Sequence, residues 1–161
     1  MISYKLQGAD IITEYENLPI SQLLSEAIAN YPFQTEDERK LISLNCIHNF
    51  DLNVDKQLFY HILYNLLNNA IFYLKNKPEG HIVITTKLDS LHYILCIEDN
   101  GPGIPPNMEE KIFKSYYTTK KNGTGLGLFF CKEAMKKHMG DIKCESKYGL
   151  YTKFTLFFQN I

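Results

Sequence analysis

Ile97-Glu98-Asp99-Asn100-Gly101-Pro102-Gly103-Ile104-Pro105 is the most informative stretch of this chain, because an apolar strand ends there on a carboxylate followed by two glycines among prolines. Residues 93–97 are apolar and rich in β-branched side chains, and the Gly/Pro punctuation predicts that the strand stops after Asp99. A carboxylate backed by apolar residues can accept a hydrogen bond from an exocyclic amine, while Gly101 and Gly103 allow backbone to approach a flat ligand. The stretch predicts an adenine pocket or, taken alone, a tight surface turn.

The composition fits one compact globular domain over residues 1–161, with residues 1–10 as a remnant of an upstream linker. The chain is 45% hydrophobic and 22% charged, which supplies enough apolar residues for a single core. Its cysteines stand apart among apolar neighbours without a CxxC pair, which predicts buried free thiols and a reducing compartment rather than a disulfide framework or a zinc site. They are Cys46, Cys96, Cys131 and Cys144.

The charge balance excludes several classes of partner. A formal net charge of −1 provides no global field for a polyanion, so we expect no nucleic-acid binding and no direct membrane contact by this domain. No apolar run approaches the ~20 residues that span a bilayer, and the N-terminus lacks the pattern of a signal peptide. We therefore expect a cytoplasmic location.

Hydrophobic periodicity predicts three helices. Apolar residues recur every three or four positions up to Leu74, which predicts a helix of about five turns with Asp55 as its N-cap. A second helix is predicted at residues 126–138 with Gly140 as its C-cap, and a shorter one follows a cap at Ser21. One helical turn is predicted within residues 108–113.

Alternating or continuous apolar runs predict the strands. A polar pair, Asp89-Ser90, is expected to close a hairpin between two of them. The charged run at residues 35–40 is interpreted as a solvated loop. Strands are predicted at residues 11–16, 41–47, 81–88, 91–97, 142–145 and 152–158.

Asn65 and Asn69 sit four residues apart on the longest predicted helix, so both amides project from one face. Their carbonyl oxygens are hard, neutral ligands that suit Mg²⁺, which takes its remaining oxygens from water and from nucleotide phosphates. The alternative interpretation is an ordinary helix with two polar surface residues, since asparagine is only mildly unfavourable in helices.

Gly123-Thr124-Gly125-Leu126-Gly127-Leu128 opens a predicted helix, so free backbone N–H groups and the positive end of the helix dipole form an anion site. A lone glycine-rich hexad is also typical of a flexible loop or of a dinucleotide fold. The dinucleotide fold requires the glycines to follow a strand directly, whereas polar residues 120–122 precede them here, and the chain has no P-loop sequence. A phosphate site in a different nucleotide fold is therefore predicted.

Four stretches, taken in order, resemble the N box, first glycine box, phenylalanine box and second glycine box of sensor histidine kinases, and they span most of the chain. They are Asn65-Leu66-Leu67-Asn68-Asn69-Ala70, Asp99-Asn100-Gly101-Pro102-Gly103-Ile104, Ile112-Phe113 through Tyr116-Tyr117-Thr118-Thr119-Lys120, and Gly123-Thr124-Gly125-Leu126-Gly127-Leu128. The resemblance implies the ATP-binding catalytic domain shared with gyrase, heat-shock chaperones and mismatch-repair ATPases. Its Bergerat-type fold is an α/β (α+β) two-layer sandwich, a mixed β-sheet covered on one face by about three helices.

The resemblance also implies roles for the matching residues. Asp99 is expected to bind the adenine amine, Asn65 and Asn69 to hold Mg²⁺, and a mobile lid at about residues 107–124 to close over the phosphates. Gly149 resembles part of a degenerate last glycine box. The expected ATP-binding residues are Asn65, Asn69, Asp99, Gly101, Gly103, Ile104, Lys120, Thr124, Gly125, Leu126, Gly127, Leu128 and Thr152.

Several positions depart from the family pattern. Phe72 stands where many members carry a basic residue that touches the phosphates, and three lysines are candidates to compensate: Lys75, Lys120 and Lys121. Tyr116 and Tyr117 replace the usual phenylalanines of the lid. They are expected either to dock the lid or to serve as ordinary apolar filler.

His61, one turn before Asn65, is the candidate catalytic residue. A histidine beside a phosphate site can act in proton transfer or orient the acceptor, and it can equally be polar helix surface. By resemblance, the phosphorylated histidine lies in an upstream helical hairpin and is followed closely by an acid and a proline. None of the five histidines here has that context.

The sequence thus predicts the ATP-binding catalytic domain of a two-component sensor histidine kinase, with ATP and Mg²⁺ as cofactors and very low activity in isolation. It would transfer the γ-phosphoryl to a histidine on a dimerisation domain absent from this chain, with a response regulator downstream, as the cytoplasmic part of a membrane-bound sensor. One alternative is a hydrolytic ATPase of the same superfamily, which by resemblance places a glutamate where Asn65 stands. The other is a binding module that uses nucleotide without chemistry.

Overall fold

The computed structural model describes residues 14–160, in which a five-stranded sheet is joined by a separate two-stranded sheet and by helices. The order of the larger sheet is β2-β4-β5-β7-β6, and β2 is parallel to β4 while the other neighbours are antiparallel. Strands β1 and β3 pair antiparallel in the smaller sheet. The elements are β1 (Tyr15–Pro19), α1 (Ile20–Asn30), α2 (Glu36–Lys40), β2 (Ile42–Cys46), β3 (Asp51–Asp55), α3 (Lys56–Leu74), β4 (Ile82–Leu88), β5 (His92–Asp99), a 3₁₀ turn (Lys111–Phe113), α4 (Gly127–Lys137), β6 (Asp141–Lys147) and β7 (Tyr151–Gln159).

One core lies between the larger sheet and the helices α1, α3 and α4. Alternate residues of β7 are buried, because side chains two apart on a strand point to the same face, and this face packs on the helices. The apolar stripe of α3 is buried along its whole length. The two-layer mixed-sheet sandwich expected from the resemblance is confirmed.

Local signals placed the central helix and hairpin correctly. The Asp55 Oδ1 accepts a hydrogen bond from the Leu58 N–H at 3.0 Å, which confirms the predicted N-cap of α3. Strands β4 and β5 pair as the expected antiparallel hairpin through the turn at Asp89-Ser90. None of the helices within residues 14–160 is long and apolar enough to cross a membrane.

Some local predictions were wrong. The charged run at 35–40 contains helix α2, because the Thr35 hydroxyl caps it by accepting from the Glu38 N–H at 3.2 Å. Strand β3 was not predicted, and it pairs with β1 at Tyr15–Pro19. The strand predicted at residues 11–16 therefore overlaps β1 only at its end. Residues 11–13 and the proposed linker at residues 1–10 lie outside the described residues.

Two predicted helix caps were also displaced. Helix α1 begins at Ile20, one residue before Ser21, so Ser21 is not its cap. Helix α4 has His138 as its C-cap, and the residue that adopts the left-handed conformation after it is Met139, at φ 53°. Gly140 follows Met139 and is therefore not the cap.

The four cysteines are free, as expected, but they differ in burial. Cys131 is buried in α4, and Cys96 and Cys144 are half-buried. Cys46 is exposed on β2, so the prediction of a buried thiol is wrong at that position. The reason is topological, since β2 forms an edge of the larger sheet.

Candidate functional site

A cavity of about 540 Å³ opens between α3, the end of β5, the long loop after β5 and the start of α4. Residues from every predicted motif line it, although they come from distant parts of the chain. Of the expected catalytic and ATP-binding residues, His61, Gly101 and Leu126 do not line it. Those that do are Asn65, Asn69, Asp99, Gly103, Ile104, Lys120, Thr124, Gly125, Gly127, Leu128 and Thr152.

Asp99 is the last residue of β5 and presents a buried carboxylate to the cavity, with only 7% of the residue exposed. Its Oδ1 accepts a hydrogen bond from the Gly101 N–H at 2.8 Å. Burial raises the pKa of Asp99 to about 6, and the Gly101 hydrogen bond opposes that rise. A Cβ at Gly101 would lie 2.6 Å from Asp99 Oδ1, so this close approach requires glycine. Gly101 thus orients the carboxylate through its N–H, although it does not line the cavity itself.

The loop after Asp99 is held against the turn between β6 and β7. Gly103 has φ +70°, and a Cβ there would lie 2.5 Å from the Lys147 carbonyl oxygen, so both the conformation and the close approach require glycine. The Ile104 N–H donates to the Ser146 hydroxyl at 2.7 Å. Thr152, buried on β7, pairs in register with Asp99. The side of the cavity that carries Asp99 is therefore anchored to the sheet.

Asn65 and Asn69 both face the cavity from α3, as the four-residue spacing predicted. The Asn65 amide nitrogen donates to the His61 carbonyl oxygen at 2.9 Å, and a Cβ at Gly127 would lie 2.7 Å from Asn65 Oδ1. The glycine thus lets the start of α4 approach the amide oxygen. Asn69 Oδ1 accepts from the Lys120 ammonium at 2.6 Å. A cation already sits on one of the two carbonyl oxygens, so this donor pair fits a hard metal ion such as Mg²⁺.

Helix α4 begins at Gly127, and its N-cap residue Leu126 makes no side-chain capping hydrogen bond. The backbone N–H groups of the first turn are therefore not satisfied by a capping side chain, and Gly127 and Leu128 of this turn line the cavity. The Thr124 hydroxyl accepts from the Leu126 N–H at 3.3 Å and shapes the approach to the helix. This arrangement is suited to an anion.

The segment predicted to be a lid, residues 107–124, contacts the rest of the site at a small number of positions. Ile112 is buried, and Tyr117 packs against the core and lines the cavity. Tyr116, by contrast, is 77% exposed and has φ 62°, so the prediction that its ring docks the lid is wrong. The hydroxyls of Thr119 and Tyr73 lie 2.9 Å apart, which joins the lid to α3.

His61 contributes to the site through its backbone, because its carbonyl oxygen orients Asn65. Its half-buried ring packs edge-on against Phe130 of α4, with ring centroids 6.2 Å apart. Burial lowers the pKa of His61, so the imidazole is neutral at neutral pH.

Several lining residues were missed by the sequence analysis. Tyr73 follows Asn69 by four positions on α3, so helical spacing alone could have identified it. Phe154 and Tyr148 reach the cavity through the pairing of β7 with β5 and through the β6–β7 turn, and no local signal marks them. The remaining lining residues stand within the quoted motif stretches, although the sequence analysis did not assign them to the nucleotide: Asn68, Pro102, Pro105, Ile112, Tyr117, Thr118, Thr119 and Gly123.

Known proteins resemble this chain in both sequence and fold. The autoinducer 1 sensor kinase/phosphatase LuxN of Vibrio campbellii is 32% identical over 154 residues, which cover 93% of this chain and 18% of LuxN. The sensor protein EvgS of Escherichia coli is 38% identical over 130 residues, covering 73% of this chain and 11% of EvgS. The catalytic domain of histidine kinase ThkA matches with a TM-score of 0.73 at 27% identity, covering 89% of this chain and 95% of that one.

The chain spans less than a third of the length of the curated relatives it matches. The family model for histidine kinase-, DNA gyrase B-, and HSP90-like ATPases matches residues 54–160, which run from the end of β3 to the end of β7 and include every motif described above. That match covers well over half of the chain and confirms the resemblance drawn from the four motifs. The chain therefore belongs to the histidine kinase-, DNA gyrase B-, and HSP90-like ATPase family.

Proposed function

We propose that this chain is the catalytic and ATP-binding domain of a two-component sensor histidine kinase, which transfers the γ-phosphoryl of ATP to a histidine on a dimerisation domain. One observation carries the proposal: a buried carboxylate, Asp99, shares a single cavity with the Asn65 and Asn69 amides and the uncapped start of α4. An adenine amine, a hard metal ion and a phosphate chain are the groups that these three features would bind.

The proposed roles follow from the chemistry of each group. Asp99 accepts a hydrogen bond from the adenine amine inside an apolar pocket, where competing water is excluded. Asn65 and Asn69 hold Mg²⁺, which when bound neutralises charge on the phosphates. The start of α4 receives the phosphates, and the lid excludes water. Since phosphoryl transfer needs little covalent work from the protein, positioning and charge stabilisation account for catalysis.

Asn65 favours transfer over hydrolysis. An amide cannot take a proton from water, whereas a carboxylate can act as a general base. The hydrolytic relatives carry a glutamate at this position by the resemblance described above. Bound ATP in this chain therefore has no activated water, and transfer awaits an external acceptor.

His61 has a supporting place in the proposal. Its neutral ring lies against α4 and its carbonyl oxygen accepts from Asn65, so its role is to position the Asn65 amide. The partners we propose are the kinase's own histidine-bearing dimerisation domain and a downstream response regulator. The proposed location is the cytoplasmic part of a membrane-bound sensor.

Labelled ATP tests the proposal directly. The purified chain is incubated with γ-labelled ATP alone, with a separate histidine-bearing dimerisation domain, and as a fusion to that domain. We expect label on the fusion, less on the separate pair and almost none on the chain alone. Fusion raises the acceptor's effective concentration to the order of millimolar.

A fusion whose acceptor histidine is replaced by alanine is the matched control and should remain unlabelled. Strong acid-labile labelling of the chain alone would contradict the proposal. Rapid hydrolysis that Asn65→Ala abolishes would instead favour a hydrolytic ATPase of the same family, and tight ATP binding without transfer in any sample would favour a binding module.

A further inference from the structure

Asn68 is the asparagine of α3 that has no role in the proposed function. It lies between Asn65 and Asn69 in the sequence and lines the same cavity. Its Oδ1 accepts a hydrogen bond from the Tyr31 hydroxyl. Tyr31 is the C-cap residue of α1 and does not line the cavity, so this bond connects a second helix to the nucleotide site through one side chain.

The Tyr31 side chain is held firmly by its neighbours. Only 7% of the residue is exposed, and its ring packs edge-on against Tyr64 with centroids 5.1 Å apart and lies 4.6 Å from the Phe33 ring. Burial raises the pKa of Tyr31 to about 12, so the phenol keeps its proton at neutral pH and needs an acceptor for it. Asn68, by contrast, is exposed. The buried phenol therefore orients the exposed amide.

The orientation of the Asn68 amide is opposite to that of Asn65. The Asn65 nitrogen donates to the His61 carbonyl oxygen, which leaves the Asn65 oxygen for a metal ion. In Asn68 the oxygen is occupied by Tyr31, which leaves the two N–H donors, and no protein group within residues 14–160 accepts from them. Because N–H donors repel a cation and bind an anionic oxygen, Asn68 fits a phosphate and not the metal.

The position of Asn68 on α3 places it beyond the two proposed metal ligands. Those ligands are rotated from Tyr73 by about 40° and about 80°, and Asn68 by about 140° in the same direction, because an α-helix turns by about 100° per residue. Tyr73 stands on the Asp99 side of the helix, since its Cβ lies 3.7 Å from where a Cβ at Gly101 would be. Asn68 is therefore farther around the helix from Asp99 than either metal ligand, where we expect the last phosphoryl group of ATP.

We propose that Asn68 donates a hydrogen bond to the γ-phosphoryl group of ATP and that Tyr31 is the residue that positions it. The inference rests on the proposed function, since it requires ATP in the cavity. A donor that is oriented before the reaction stabilises negative charge on the phosphoryl oxygens without any cost of reorientation. The Tyr31 hydroxyl supplies that orientation from outside the cavity.

Asn68 takes part in phosphoryl transfer without exchanging a proton. A lone pair of the acceptor imidazole forms the N–P bond, while the bond between the γ-phosphorus and the β–γ bridging oxygen breaks and leaves its electron pair on ADP. The proton of the phosphorylated imidazolium passes to solvent. The contribution of Asn68 is to orient the phosphoryl group and to stabilise its charge.

A purely structural link between α1 and α3 is the alternative explanation, because a buried tyrosine hydroxyl needs an acceptor whatever its function. The two explanations differ in the nucleotide that is affected. A structural bond changes the melting temperature and leaves the relative affinity for two nucleotides unchanged. A bond that orients a γ-phosphate donor changes the affinity for an ATP analogue and leaves that for ADP unchanged.

The test compares ADP with the non-transferable analogue β,γ-imido-ATP by calorimetry in Mg²⁺. Asn68→Ala should weaken analogue binding by about tenfold to a hundredfold, the range for a hydrogen bond to a charged group, and leave ADP binding unchanged. Tyr31→Phe keeps the packed ring and should weaken analogue binding by about two- to tenfold, because the Asn68 amide is then able to rotate. The double variant should lose no more than Asn68→Ala alone, since Tyr31 acts through Asn68.

Tyr60→Phe is the matched control. The Tyr60 hydroxyl also joins α3 to α1, by donating to Glu26 at 2.9 Å, but Tyr60 does not line the cavity. Its loss should leave both affinities unchanged. In a fusion to a histidine-bearing dimerisation domain, Asn68→Ala and Tyr31→Phe should lower the rate of transfer at saturating ATP, whereas Tyr60→Phe should not.

Three results would contradict the inference at different levels. A wild type that binds neither nucleotide would overturn the proposed function itself. A wild type that binds both, with Asn68→Ala changing both affinities equally or changing neither, would overturn the role of Asn68 alone. A selective loss in Asn68→Ala that Tyr31→Phe does not share would overturn the positioning role of Tyr31. Melting temperatures show whether each variant is folded, and Asn68→Ala removes an exposed side chain that the core does not need.

Discussion

Replacing Asp99 by asparagine should stabilise the empty protein and abolish nucleotide binding. The buried carboxylate is ionised at neutral pH although burial disfavours its charge, as its raised pKa shows. Asparagine has the same shape and retains an oxygen that can accept from the Gly101 N–H. It removes the buried charge but presents donors as well as an acceptor to an adenine amine.

The size of the effect follows from the pKa. The pKa of Asp99 rises from 3.8 to about 6, and each unit corresponds to about 1.36 kcal/mol, so ionised Asp99 costs the fold on the order of 3 kcal/mol. A raised acid pKa means that the folded state binds the proton more tightly than the unfolded state. The cost is therefore full above pH 6, falls as the pH drops through 6, and disappears below the unfolded value of 3.8.

Urea unfolding at pH 8 and pH 5, together with ADP calorimetry, is the assay. Asp99→Asn should exceed the wild type in free energy of unfolding by up to about 3 kcal/mol at pH 8 and by roughly half of that at pH 5. Glu98→Gln is the matched control, because Glu98 is the adjacent acid on the exposed side of β5, and it should change stability little. A variant no more stable than the wild type at pH 8, or a difference that does not narrow at pH 5, would refute the account of a strained buried charge. Unchanged ADP affinity would remove Asp99 from the site.

Three further predictions concern the metal ligands, the start of α4 and the lid. Asn69→Ala should weaken ADP binding in Mg²⁺ more than in EDTA, because the lost carbonyl oxygen is a proposed ligand of the ion. Equal losses of affinity in both buffers, measured by calorimetry, would show that Asn69 is a structural residue. Gly127→Ala should lower ADP affinity by about tenfold, because its Cβ would lie 2.7 Å from Asn65 Oδ1 and displace that amide. Its melting temperature should stay near that of the wild type. Undiminished ADP binding, measured by calorimetry, would show that this close approach is not required. Amides of residues 120–124 should exchange rapidly in the empty protein and slowly with an ATP analogue, and hydrogen exchange that is slow in both states would argue against a lid.

The sequence alone determined the elements whose signals lie within a short window. The three-to-four spacing of apolar residues and the Asp55 cap specified α3, and the same helical geometry placed Asn65 and Asn69 on one face. The end of β5 at Asp99 followed from the glycines and prolines after it. The ordered motifs are specific enough to indicate the family from the sequence alone, because each requires particular residue types at fixed spacing.

The tertiary structure decided what depends on contacts between distant segments. The pairing of β1 with β3, the exposure of Tyr116 and the entry of Phe154 into the cavity have no local signature, since each depends on the way remote strands and loops pack. The sequence showed a phenylalanine where a cation was expected and three lysines that could replace it. Only the fold, by bringing residue 120 back onto α3 across 51 positions of chain, selected Lys120. Electrostatic attraction acts between neighbours in space, and neighbours in space are determined by packing of the whole domain.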